Sequence, residues 1–309
     1  MTRSELRMPS NIELSELASA KFPEPVPYAL IVPPGSGPFP LCIVLMGGGG
    51  SRQSLVDCQP LFDRWWAEGT VAPMIFATPS AGMSYYLDWD LFIIDDFIPH
   101  LRANCNVDVT AITGISMGGY GALKIAFTHP EKFAAVAVMN PMIEPGLNDA
   151  EIGARNKIHH ATGGPARLIG TARDPDLFAA NNPANRAIAN ASRIRESALP
   201  IYIEVGDNDF VNAHDGTEFL HRVLWDLDIS HEYHLVRGAD HGGPTFRPRM
   251  RATYAWLTTA LAAQTPTEPT PEQLALDAIR AQLEPLRDQA AASDPATRRR
   301  FGVLPAPRV

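Results

Sequence analysis

The chain has 309 residues, 45% hydrophobic and 19% charged, with a formal net charge of −8. This is the composition of a folded globular protein, and its acidic balance excludes a basic nucleic-acid-binding surface as the main feature. No apolar run reaches the ~18–20 residues of a membrane span, and the first twenty residues lack the apolar centre of a secretory signal. The expectation is a cytoplasmic protein with neither a membrane nor a nucleic-acid partner. Cys42, Cys58 and Cys105 are widely spaced and form no CxxC pair. Neither a disulfide framework nor a cysteine zinc site is expected.

Residues 1–25 read as an N-terminal arm. Short apolar, β-branched runs then predict strands at 28–32, 41–46, 74–77, 111–115, 133–139, 200–205 and 232–236. Several are apolar throughout, as strands covered on both faces are. Helical patterns lie between them at 55–68, 90–104, 118–128, 213–227 and 249–262. Strand and helix alternating in this way predict an α/β fold, a mostly parallel central sheet with helices on both faces.

Residues 141–199 break the rhythm. They carry no clear strand pattern and are too long for a plain loop, so a helical insertion or cap is expected, covering the pocket of the 26–263 body. A Pro/Thr-rich linker follows at 264–271, and a helical extension with a tail occupies 272–309. There Leu276, Ile279, Leu283, Leu286 and Ala290 share one helical face, and Pro285 is expected to kink or divide the helix. The stripe suits docking on the body or a homodimer contact. Arg298, Arg299 and Arg300 read as solvated.

The most informative stretch is TGISMGGYG, in which Gly114, Ser116 and Gly118 form a G-x-S-x-G pattern between a predicted strand and a predicted helix. A serine on a tight turn there exposes its Oγ above the sheet, and small neighbours let strand and helix approach. The helix N-terminus directs unpaired N–H groups at developing negative charge, with the Met117 amide as one donor. A serine nucleophile needs a base, and the base an orienting acid. His241 sits in a glycine-flanked loop after the strand at 232–236, and Asp207 and Asp209 follow the strand at 200–205. Asp209 has the better placement to turn back over the strand end, with Asp207 bracing the turn. His231 and His234 fall on or beside a strand and read as surface or hydrogen-bond-satisfied residues, and His159 and His160 as surface or pocket-rim residues. No metal or cofactor is expected. Four glycines, Gly47 to Gly50, follow another strand without the Lys-Ser/Thr of a phosphate loop. Gly48 is the candidate second oxyanion donor, with Gly49 the alternative.

Assembled, these residues resemble the α/β-hydrolase superfamily. GISMGGYGAL followed by His129-Pro130-Glu131-Lys132-Phe133 is similar to the esterase D-like branch, which includes S-formylglutathione hydrolases, feruloyl esterases, siderophore esterases and mycolyltransferases. The resemblance spans about residues 26–261 and implies an α/β-hydrolase fold, a triad of Ser116, Asp209 and His241, and oxyanion amides at Gly48 and Met117. Many relatives open the oxyanion loop with His-Gly, where this chain has Met46-Gly47. The implied function is a serine carboxylesterase acting on a small-molecule ester. Acyl transfer or amide cleavage by the same triad is the alternative, and a non-catalytic scaffold a third reading. Tyr85, Tyr86, Trp89, Gly49 and Phe210 are candidate substrate contacts, the three aromatics of the 82–89 loop serving either as pocket lining or as packing beneath the site.

Overall fold

The computed structural model describes residues 9–157, 174–262 and 271–293. Among them, eight strands form one sheet: β1 (Asn11–Leu17), β2 (Val26–Val32), β3 (Phe39–Leu45), β4 (Ile75–Pro79), β5 (Val107–Ile115), β6 (Ala135–Met139), β7 (Ile201–Gly206) and β8 (Glu232–Val236). Their spatial order is β1-β2-β4-β3-β5-β6-β7-β8. The β1–β2 and β2–β4 pairs are antiparallel, and every pair from β4 through β8 is parallel. The seven expected strands are all present, within a few residues of the expected bounds.

The eighth, β1, falls in the segment expected to be an arm. It is an edge strand with most side chains exposed, so no core pattern marks it in the sequence. The interior strands are buried on both faces and sort their side chains by period two. Leu41, Ile43 and Leu45 of β3 join one core layer, and Cys42 and Val44 join the other.

Helices cover both layers. On one face lie α1 (Arg52–Val56) and α2 (Gln59–Glu68), with α9 (Phe246–Ala262). On the other are α3 (Ile98–Asn104), α4 (Met117–Thr128) and α8 (Ala213–Asp226). Two expected helices are divided. The one at 55–68 breaks at Asp57 and Cys58, and the one at 90–104 becomes a π-helical turn, Phe92–Phe97, before α3. In both cases a proline, Pro60 or Pro99, stands at the start of the second piece, where its missing N–H cannot continue the ladder.

The described part of the insertion runs irregularly through 141–157 and then forms three helices: α5 (Pro175–Asn181), α6 (Pro183–Ala189) and α7 (Ala191–Glu196). Helix α6 packs on α4 and α8, with Ala184 and Ala187 buried in the core. His159 and His160 lie outside the described residues, as do 264–270 of the expected linker and the arginines at 298–300; Pro271, its last expected residue, opens the next helix. The extension forms α10 (Pro271–Ser293), continuous through Pro285 rather than divided by it. Among the described residues no helix is long and apolar enough to cross a membrane. The three cysteines are free.

Candidate active site

Everything that converges on Ser116 comes from the carboxyl ends of parallel strands. Strand β5 ends at Ile115 and α4 begins at Met117, so Ser116 carries the whole change of direction. Its backbone sits at φ 55, ψ −121, a region that costs a non-glycine residue about 1–3 kcal/mol. The turn is pinned from three sides: Ser116 donates its N–H to Met139 O at 3.0 Å, and its carbonyl accepts from Tyr120 and Met142 at 3.0 and 3.1 Å. The two flanking glycines are required by close approach. A Cβ on Gly114 would collide with the Gly118 carbonyl, and one on Gly118 with the Leu45 carbonyl, so strand, helix and the end of β3 interlock backbone to backbone.

Strand β8 leads into the loop that carries His241, and β7 into the loop that carries Asp209. The structure brings the three side chains into one line. His241 Nε2 lies 2.9 Å from Ser116 Oγ, and His241 Nδ1 lies 2.6 Å from Asp209 Oδ2. The Asp209 carboxylate is fully buried, and its other oxygen accepts from the Val211 and Ala213 amides at 2.9 and 3.4 Å. Asp207 points elsewhere. It accepts from the Gly238 N–H at 2.6 Å and pairs with Arg237 at 3.1 Å, bracing the turn between the two loops.

Gly47 to Gly50 form a tight turn closed by Gly50 N–H to Gly47 O at 2.9 Å, with Gly48 and Gly49 at its tip. A Cβ on Gly47 would lie 3.5 Å from Ser116 Cβ, which places this turn directly against the elbow. Tyr86 Oη donates to the Met46 carbonyl at 3.2 Å and so holds the entry to the turn. Met83 covers its outer face beside Gly48.

Tyr85, Tyr86 and Trp89 take the packing alternative. All three are buried in the core layer beneath the site, Tyr85 edge-on to Tyr120 and Tyr86 edge-on to Trp89. Tyr85, Tyr86 and Asp88 all have positive φ, so this loop is strained. A buried lysine holds it: Lys124 of α4 donates to Tyr86 O at 2.6 Å, pairs with Asp90 at 2.6 Å, and reaches Asn181 of α5 at 3.1 Å. Burial lowers the Lys124 pKa, and the Asp90 carboxylate opposes that shift. Phe210 is 70% exposed and meets the His241 ring edge-on, at the open side of the site.

Sequence reasoning missed a second layer of residues. Asn140, at the end of β6, donates to the His241 carbonyl at 2.9 Å and accepts from the Gly206 N–H at 3.1 Å. Arg249 of α9 donates to the same Asn140 oxygen at 2.5 Å, to Asp240 O at 2.6 Å and to Glu204 Oε1 at 2.8 Å. One buried network thus ties together the strand ends that carry Asp209 and His241. Burial raises the Glu204 carboxyl, and the Arg249 guanidinium works against that. Asp240 accepts from the His241 and Phe210 amides, which lower its pKa. These residues lie up to 109 positions apart, and no local pattern joins them. Among the described residues, no three or more His, Cys, Asp or Glu side chains gather as a metal site.

Comparison with known proteins places the chain in a family. The Esterase family model matches residues 57–257. Esterase FrsA of Enterobacter sp. (strain 638) is 30% identical over 154 residues, and that of Salmonella typhi 30% over 152; each match covers 47% of this chain. It spans only 35% of the length of those relatives. In solved structures, a ferulic acid esterase superposes with a TM-score of 0.65 at 19% identity, covering 82% of this chain and 99% of its own. An S-formylglutathione hydrolase from Agrobacterium tumefaciens gives 0.61 at 16%, covering 82% and 96%. With the sheet order, the serine elbow and a family match over about two thirds of its length, the chain belongs to the Esterase family and has the α/β-hydrolase fold.

Proposed function

We propose that the chain is a serine carboxylesterase in which Ser116 is the nucleophile, His241 the general base and acid, and Asp209 the orienting acid. The observation that carries this reading is the unbroken hydrogen-bond line from Ser116 Oγ through His241 to the buried Asp209, set on a strained elbow. Ser116 Oγ attacks the ester carbonyl while its proton passes to His241 Nε2. Asp209 holds the Nδ1–H and offsets the charge of the imidazolium that forms. Negative charge then develops on the former carbonyl oxygen. The Met117 amide opens α4 and has no intrahelical acceptor, so it is available to that oxygen with the helix dipole behind it. The Gly48 amide, at the tip of the glycine turn, is the second donor, with Gly49 as its neighbour in reserve. Collapse breaks the ester C–O bond, His241 returns the proton to the departing alcohol, and the acyl group stays on Ser116. Water repeats the sequence and releases the acid.

The test is hydrolysis of p-nitrophenyl acetate, butyrate and octanoate by the wild type and Ser116→Ala, with and without a chelator. Activity in the wild type that ignores the chelator and falls on the order of a million-fold in Ser116→Ala supports the reading. Activity that survives the substitution, or that the chelator removes, overturns it.

A further inference from the structure

The 82–89 loop packs beneath the site, yet three of its residues each touch one part of the oxyanion hole proposed above. Met83 lies against Gly48, the Tyr85 N–H donates to Met117 Sδ at 3.3 Å, and Tyr86 Oη donates to the Met46 carbonyl at 3.2 Å. We infer that Tyr86 is the positioning residue of the oxyanion hole: its hydroxyl fixes the peptide from which the glycine turn starts and so aims the Gly48 amide at the substrate oxygen. The inference rests on the esterase reading above.

Glycines give the turn its reach and also the widest backbone freedom, so its aim has to come from outside it. The bond from Gly50 N–H to Gly47 O closes the turn but leaves its direction open. The Met46 carbonyl lies immediately before it and is held on two sides. Tyr86 Oη donates to it, and a Cβ on Gly118 would come within 2.7 Å of it, so it also rests on the first turn of α4. That helix opens with the Met117 amide, the other proposed donor. One carbonyl thus relates the two donors to each other, and one hydroxyl holds that carbonyl. Tyr86 is itself firmly seated. Its side chain is fully buried, and a Cβ on Gly121 of α4 would lie 2.6 Å from its ring. Its φ of 53 persists only where the surroundings over-determine it, and Lys124, paired with Asp90, supplies that hold through the Tyr86 carbonyl. Burial pushes the Tyr86 phenol above its usual range, so Oη keeps its proton as a donor. Donors aimed in advance by rigid support are what stabilise a developing oxyanion without reorganisation.

Tyr86→Phe keeps the ring and removes only the hydroxyl. Loss of a direct oxyanion donor costs about a hundredfold to a thousandfold in kcat, and a misaimed donor costs less. For p-nitrophenyl butyrate, kcat is expected to fall about tenfold to a hundredfold with KM changed less than about twofold, because acylation and deacylation use the same hole. Butyl trifluoromethyl ketone gives a second readout. Ser116 Oγ adds to its carbonyl carbon, the serine proton passes to His241, and the former ketone oxygen carries its negative charge into the hole. Its inhibition constant is expected to weaken by about the same factor as kcat falls, a match that looser substrate binding would not produce. Gly121→Ala pushes the Tyr86 ring off its seat, carries the same expectations, and serves if the Phe variant does not fold. A folded Tyr86→Phe with wild-type kcat and inhibition constant, or one changed only in KM, overturns the positioning role and leaves the esterase reading standing. A wild type that hydrolyses no ester overturns both.

Discussion

At the scale of single residues, the two aspartates after β7 separate two jobs that the sequence leaves side by side. Asp209 is buried against His241 Nδ1, and Asp207 holds a backbone amide and an arginine at the surface turn. Replacing Asp209 by Asn leaves the shape but lets the imidazole take the wrong tautomer. The expected loss in kcat is on the order of ten-thousand-fold. Asp207→Asn is expected to cost less than about tenfold in kcat and roughly 1 kcal/mol of stability, as a lost surface-turn hydrogen bond does. Steady-state kinetics of the two variants in parallel check this, and equal losses would mean the assignment of the acid is wrong. The meeting of Ser116, His241 and Asp209 was legible because each follows a strand within three residues of a glycine, a pattern local enough to read. The roles of Tyr85, Tyr86 and Trp89 were not, because an aromatic loop reads the same whether its rings face a substrate or the core.

At the scale of elements, the site depends on strand ends held in register by groups far apart in sequence. Arg249 reaches from α9 to Glu204 on β7 and Asn140 after β6, and Asn140 holds the His241 loop. The ion pair between Arg249 and Glu204 is almost fully buried, and Glu204 Oε2 has no partner of its own. Removing the guanidinium therefore strands a charge that cannot reach water. Arg249→Ala is expected to lower stability by about 3–5 kcal/mol in urea denaturation. In Arg249→Ala with Glu204→Gln, where the stranded charge is gone, part of that loss should return, and a double variant no more stable than Arg249→Ala would refute the pairing argument. The interior strands were legible because burial on both faces writes an unbroken apolar run. The edge strand β1 and the divided helices were not, since one buries little and the others turn on where a single proline falls in a helical pattern.

At the scale of the whole molecule, the sheet places the loops that meet at Ser116 at one edge, with helices on both faces. Helix α10 stands apart from this economy. Leu276, Ile279, Leu283 and Leu286 are all exposed along one side of it, an apolar stripe of the kind that helices bury against a partner. A homodimer through this stripe remains the proposal made from the sequence. Light scattering of the full chain and of a variant lacking residues 271–309 tests it: a dimer that becomes a monomer on deletion is expected, and a monomer in both forms refutes it. The spacing of apolar residues revealed the stripe, but a stripe does not encode what covers it.

The proposed chemistry turns on a covalent bond at Ser116. The most direct test is intact-mass spectrometry of the wild type after treatment with a phosphorylating serine-hydrolase inhibitor, followed by peptide mapping. One adduct per chain, located on Ser116 and absent from both Ser116→Ala and a His241→Ala variant treated for the same time, is the result expected. An adduct on another residue, or none on a folded wild-type protein that still hydrolyses esters, would contradict the nucleophile assigned to this fold.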